Sequence, residues 1–314
     1  METSFTRLVG CRLPLQQAAM GGVAGPELAG AVGRAGALGM LCEFDLESPS
    51  DRIQRALTLA DGGCVGMGFF GQFVRDDLES FEAASADLHV VEVFWSVPEP
   101  LLIARARRAG NALVAWQVGS VATAVAAEDA GCDFVVAQGV EAGGHVRGST
   151  PRDELLDEVL GAVSIPVVIA GGIATPTDVA AMISAGAAAV RVGTAFVATH
   201  ESDAHPSYVD ALLAARSGDE TVLTQRFSVG WPDAPHRVLR SAVTAAEALE
   251  EEVAAEAGPA DARYSVPRFS AVPPSRHTRG HIEAMALYAG AGVGDVTSRY
   301  PAAELTAHLV SELE

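Results

Sequence analysis

The sequence contains no lysine: all 21 basic residues are arginines, set against 40 aspartates and glutamates for a net charge of −19. Without an ε-amine, a P-loop is excluded, as are Schiff-base and pyridoxal-phosphate chemistries that need a lysine nucleophile. The acidity argues against nucleic acid or an anionic membrane as the main partner, because both are gripped by basic patches. Cysteine is also scarce. Cys11, Cys42, Cys64 and Cys132 show no CxxC spacing and sit beside small apolar residues, so they read as buried thiols of a reducing compartment. No uninterrupted apolar run of about 18 residues occurs, since Arg191 breaks the best candidate, and residues 1–10 lack a signal-peptide core. A soluble, cytoplasmic protein is expected. There is no GxSxG for a nucleophile elbow. His277 and His281 stand four apart, but no Glu follows His277 and Gly280 weakens any helix there, so no metal is expected.

What is present is a rhythm. Of the 314 residues, 49% are hydrophobic, enough for a sizeable core. Apolar runs at Leu13–Gln17, Ala37–Leu41, Val65–Phe70, Leu88–Phe94, Ala112–Val118, Phe134–Gln138, Pro166–Ala170 and Ala188–Val192 alternate with alanine-rich stretches. Those stretches, Pro26–Ala35, Ser50–Ala60, Pro98–Ala109, Val121–Ala130, Arg152–Ala162 and Thr175–Ala185, read as helices, several closing on Gly36, Gly110, Gly131 or Gly186. Eight strands alternating with helices in under 200 residues predict a (β/α)8 TIM barrel over 1–199; an open doubly wound sheet is the alternative.

Beyond residue 199 the rhythm changes. Helices are predicted over Tyr208–Arg216, His236–Glu256, Arg276–Ala289 and Pro301–Leu313, an extended segment over Thr221–Val229, and a loop over Gly258–Ser275. This predicts a small, mostly helical additional domain over 200–280, a lid or an inert decoration, with 281–314 packing back on the barrel.

Barrel chemistry sits on the loops after the strands' C-terminal ends. Here these carry Ala18, Ala19 and Met20; Gln117; Gln138 leading to Gly143, Gly144 and His145; Gly171 and Gly172; and Val192, Gly193 and Thr194. Either late glycine pair alone would be explained by tight packing. Together, after the seventh and eighth strands, they suit a phosphate held by backbone N–H groups and helix N-termini. Of the eight histidines only His145 follows a glycine pair at a predicted strand end, where an imidazole can act as acid or base.

The elements Gln138-Gly139-Val140-Glu141-Ala142-Gly143-Gly144-His145, Ala170-Gly171-Gly172-Ile173 and Val192-Gly193-Thr194 closely resemble the nitronate monooxygenase family. So do Gln17–Met20, Pro26–Ala29 and Ala289–Gly294, so the resemblance spans essentially the whole chain. It implies an FMN-dependent oxidoreductase that oxidises alkyl nitronates or nitroalkanes with O2 to a carbonyl compound and nitrite. It further implies that Ala18–Met20 line the flavin ring, that Gln117 and Gln138 offer amides to its polar edge, and that Gly143 and Gly144 pass close to it. Gly171, Gly172, Val192, Gly193 and Thr194 would hold the phosphate, and His145 would be the catalytic base or would position the nitronate. FMN-type enoyl-[acyl-carrier-protein] reductases using NAD(P)H share these elements and remain an alternative, as does a non-catalytic flavin or phosphate-ligand binder. A homodimer is left open. Three departures stand out: Gly68 where the family usually has Asn, Val146 between His145 and Arg147, and Ala291 where Gln is common.

Overall fold

The computed structural model describes residues 1–43 and 48–313. Eight parallel strands form one sheet: β1 Leu15–Gln17, β2 Gly39–Cys42, β3 Val65–Phe70, β4 Val90–Phe94, β5 Leu113–Val118, β6 Phe134–Gln138, β7 Val167–Ala170 and β8 Ala189–Val192. β8 pairs with β1, and the ring closes where Leu38 N–H donates to Leu15 O and Gln17 N–H to Leu38 O. The result is the (β/α)8 barrel, and the open sheet is ruled out. The strands are almost wholly buried, as expected when helices cover the outside and side chains fill the inside.

The helices follow their start and stop signals. Pro26–Ala35 begins with Pro at its first position, and Gly36 ends it at φ 101°. Thr175 and Asp178 form a reciprocal capping box on Pro176–Ser184. Gly110 differs from expectation: it is extended, and a Cβ there would come within 2.3 Å of Ser85 O, so tight packing explains the glycine. Three helices escape sequence periodicity, Ser4–Val9, Leu78–Asp87 and the short Thr194–Val197. The first plugs the N-terminal end of the barrel, with Phe5 edge-on to Phe134 at 5.4 Å.

The segment after the barrel departs from the mostly helical expectation. Helices occupy Pro206–Ala214 and Arg240–Ala248, but His236–Leu239 and Val253–Ala257 are strands, and Arg276–Ala289 holds only a bridge strand and a 3-10 turn. Alanine-rich Val253–Ala257 has good helix propensity. It is extended because it pairs with Tyr264–Pro267 and Arg279–Gly280 and buries Ala254, Ala255 and Ala257 with Val266, Ile282 and Met285; tertiary packing overrides propensity. The C-terminal helix Ala302–Leu309 buries Leu305 and Leu309 in the barrel's own core. Among the described residues no helix is long and apolar enough to cross a membrane.

Candidate active site

The C-terminal ends of the strands open into a cavity of about 760 Å³. Every candidate catalytic or cofactor-binding residue lines it except Val192. Val192 is buried within β8, and its carbonyl accepts from Ala18 N–H at 2.9 Å, fixing the loop after β1.

At one end the wall is backbone. Gly171 and Gly172 turn the chain after β7 with φ of 126° and 65°, a region costly for other residues. Among the described residues the N–H groups of Gly171, Gly172, Gly193 and Thr194 have no acceptor, a donor set suited to an anion. The helix-dipole argument does not carry over. The amides of Ala174 and Thr175 before the next helix are already held by the Asp178 carboxylate at 3.1 and 3.0 Å, and the helix after Gly193 is only Thr194–Val197. Gly143 serves packing: a Cβ there would lie 2.6 Å from Gly290 N. Gly290 N–H donates to Thr194 Oγ1 at 2.9 Å and Ala291 N–H to Glu141 O at 2.8 Å, so the C-terminal glycine segment is strapped to the rim. The Glu141 carboxylate is a helix cap, accepting from Arg152 N–H at 3.0 Å.

Two amides face the cavity with opposite polarity. Gln117 Oε1 accepts from Arg191 at 2.6 Å, which leaves its NH2 to donate. Gln138 Nε2 donates to His145 O at 3.0 Å, and its Oε1 is buried with no partner among the described residues.

The opposite wall is aromatic. His145 and Gly144 form a short strand paired antiparallel with His236–Leu239, so the post-barrel segment places the histidine. Its ring stacks on Trp231, with centroids 3.9 Å apart and planes at 23°. Phe70 meets Trp231 edge-on at 4.7 Å, and Tyr288 lies 5.6 Å from His145. Burial pushes the His145 imidazole down to about 3, with the neighbouring His236 adding to the shift. It is therefore neutral at physiological pH, and its Nε2 is buried with no partner among the described residues. His236 is held more firmly: Nε2 accepts from Phe227 N–H at 3.2 Å, so Nδ1 carries the proton donated to Ala234 O at 2.8 Å.

Sequence reasoning missed two features. The first is a charged network inside the barrel: Arg191 on β8 pairs with Glu92 on β4, donates to Gln117, and lies 3.3 Å from Gln16 Oε1. Gln16 Nε2 in turn donates to Glu92 at 3.2 Å. An arginine interrupting the most apolar strand and a glutamate mid-strand were the signals available. The second is Glu43, at the end of β2 and on the cavity wall. Its Oε1 accepts from Phe70 N–H at 2.6 Å. Burial pushes its carboxyl up to about 8, partly opposed by that hydrogen bond and aided by Asp77.

Glu43 gives the site a pH signature. The folded chain holds this proton more tightly than an unfolded glutamate, which titrates near about 4.3. The stability gained is complete below that value and lost as pH rises through about 8. Glu43→Gln keeps an acceptor for Phe70 N–H. Its melting temperature should match the parent near pH 5 and exceed it increasingly toward pH 8, checked by thermal melts across that range.

Two of the family departures, Gly68 and Val146, have a local setting. A Cβ at Gly68 would lie 2.6 Å from Ala19 Cβ, so an Asn does not fit. Val146 is buried and its N–H donates to Pro235 O. Arg147 is exposed and donates to Ser96 O, away from the cavity lining.

Residues 78–312 match the sequence profile described as nitronate monooxygenase. A (3aS,4S,5R,7aS)-5-hydroxy-7a-methyl-1-oxo-octahydro-1H-indene-4-carboxyl-CoA dehydrogenase from Rhodococcus jostii is 36% identical over 251 residues, covering 77% of this chain and 66% of that protein, just under two thirds of its length. Among solved structures, FabK from Thermotoga maritima superposes with a TM-score of 0.80 at 27% identity, covering 99% of this chain and 96% of that one. Nitroalkane oxidase from Streptomyces ansochromogenes superposes with a TM-score of 0.73 at 30% identity, covering 99% and 98%.

Proposed function

Since the chain belongs to the nitronate monooxygenase family of oxidoreductases, we propose that it is an FMN-dependent nitronate monooxygenase, oxidising alkyl nitronates or nitroalkanes with O2 to a carbonyl compound and nitrite. The observation that carries this reading is one cavity lined both by free backbone amides and by aromatic rings around a neutral histidine.

The residues fit FMN. The amides of Gly171, Gly172, Gly193 and Thr194 suit its phosphate. The donor face of Gln117 and the acceptor face of Gln138 complement a flavin's alternating carbonyls and N–H. Bound there, the flavin would supply the two-electron chemistry. The protein supplies placement. A neutral His145 keeps one N–H to donate to a nitro or nitronate oxygen, and the Trp231, Phe70 and Tyr288 rings give it apolar surroundings in which such a hydrogen bond is stronger than in water.

The test is nitrite release from 2-nitropropane and its preformed nitronate under O2 by the FMN-loaded chain, with absence of nitrite from both rejecting the reading. A second reading, NAD(P)H-dependent reduction of an enoyl thioester, draws on the elements shared with FMN-type enoyl reductases and on the likeness to a carboxyl-CoA dehydrogenase. Anaerobic bleaching of the flavin by NADH or NADPH would favour it.

The phosphate placement has its own test. A Cβ at Gly193 meets Ala18 Cβ at 3.5 Å and Met20 Sδ at 3.9 Å, ordinary contacts, and would stand in the cavity. Gly193→Val should therefore leave the apoprotein's melting temperature nearly unchanged and weaken FMN binding more than about a hundredfold, roughly 2.7 kcal/mol. A titration by flavin fluorescence decides; full occupancy at the parent's affinity would refute the placement.

A further inference from the structure

We propose that Glu43 is the proton acceptor of this site, taking the α-proton of a neutral nitroalkane whose nitro group is held by His145. The inference rests on the reaction class proposed above and assigns a group that neither the sequence motifs nor the family resemblance singles out.

The argument begins with what lines the cavity. Glu43 is the one carboxylate among the described lining residues. The other titratable groups there are accounted for. Tyr208 and Tyr288 donate their hydroxyl protons to the carbonyls of Tyr288 and Ala271, and burial drives both phenols further from ionising. Arg191 is paired with Glu92, and Tyr264 is half exposed at the mouth. His145 is buried too deeply to hold a proton at neutral pH, so it is a poor base for a carbon acid.

Glu43 is positioned for the task. Its own N–H donates to Gly68 O at 3.1 Å, and one carboxylate oxygen is fixed by Phe70 N–H. Among the described residues that is the one hydrogen-bond donor to the carboxyl. Phe70 in turn packs its ring on Trp231, the indole that stacks on His145. Carboxyl and imidazole are thus anchored to one aromatic wall. Glu43 directly follows Cys42, which pairs with Gly68 on the neighbouring strand. Among the described residues Asp77 opposes its ionisation, and Arg52 donates to the carbonyl of the preceding residue, Cys42, at 2.8 Å. A carboxyl that titrates near pH 8 is matched to abstracting a proton near neutrality.

The step balances without another reactant. The substrate C–H bond breaks, its electron pair forms the C=N bond of the nitronate, the negative charge settles on the nitro oxygens facing His145, and the proton passes to a Glu43 oxygen.

The test compares 2-nitropropane with its preformed nitronate on the FMN-loaded full chain. For Glu43→Gln, the loss of kcat/KM on the nitroalkane should exceed the loss on the nitronate by a factor of about 10² or more. The parent's nitroalkane profile should rise with pH to a plateau above about pH 8, and Glu43→Gln should lose that rise while Glu43→Asp keeps it. Independently of turnover, infrared titration of the parent should show a protonated-acid carbonyl band at pH 6 that fades by pH 10 and is missing from Glu43→Gln. Equal losses on the two substrates, or an unaltered pH profile, would overturn the role of Glu43 alone. A parent chain inert toward both substrates would instead reject the reaction class, and the proton role with it.

Discussion

Replacing Glu92 by alanine is expected to cost about 3–5 kcal/mol of folding stability, the largest single effect the structure implies outside the hydrophobic core. Glu92 is buried at the centre of β4, where it accepts from Arg191 and Gln16. Removing it leaves a guanidinium inside the barrel whose remaining acceptors, Gln16 and Gln117, are neutral. A buried charge stripped of its counter-ion pays its desolvation cost uncompensated. The same account requires the double variant Glu92→Leu/Arg191→Met to recover much of the loss, since no charge is then left unpaired. Urea unfolding of the parent, Glu92→Leu, Arg191→Met and the double closes the cycle. Single losses that simply add in the double would show that the pair is not an energetic unit. The network also reaches the ligand. Arg191 claims the oxygen of Gln117 and so decides which end of that amide the cavity sees.

The barrel was legible because its signals are local. Parallel strands buried on both faces read as short apolar runs, and helix boundaries carry Pro, Thr and Gly punctuation, so six helices and all eight strands emerge within about two residues at most ends. Beyond residue 199 the helices Pro206–Ala214 and Ala302–Leu309 and the extended Thr221–Thr224 were legible as well, but the strands read there as helix were not, because they are specified by partners distant in sequence. His236–Leu239 is extended through pairing with Thr221–Thr224 on one side and Gly144–His145 on the other, and no window centred on 236 contains either signal. The candidate site divides in the same way. Glycines after β7 and β8 announce themselves by position in the barrel. The Arg191–Glu92 contact joins residues 99 apart in sequence, and Glu43 gains its character from burial and from Phe70 N–H, neither visible as a motif. Even the purpose of a recognised residue can hide: Gly143 is a glycine because Gly290 packs against it.

His145→Ala is expected to lower kcat/KM on preformed nitronate by about 10²–10³, the cost of removing one aimed hydrogen-bond donor. The histidine is held neutral from about pH 3 upward. The parent's nitronate profile should accordingly be flat between about pH 5 and 7, where an ordinary histidine titrates. The loss should be similar on 2-nitropropane, because a hydrogen bond to the nitro group serves both substrates. This pattern is opposite to that expected of Glu43→Gln. His145→Asn, which keeps an N–H on a shorter side chain, should recover part of the nitronate activity if donation is the role. Trp231 and His236 stay in place as the neighbours of the lost ring, so a melting curve beside the kinetics separates a loosened wall from a missing donor. A rise in the parent's nitronate activity between pH 5 and 7 that vanishes in His145→Ala would show the imidazole titrating in place, and would return the proton to the histidine.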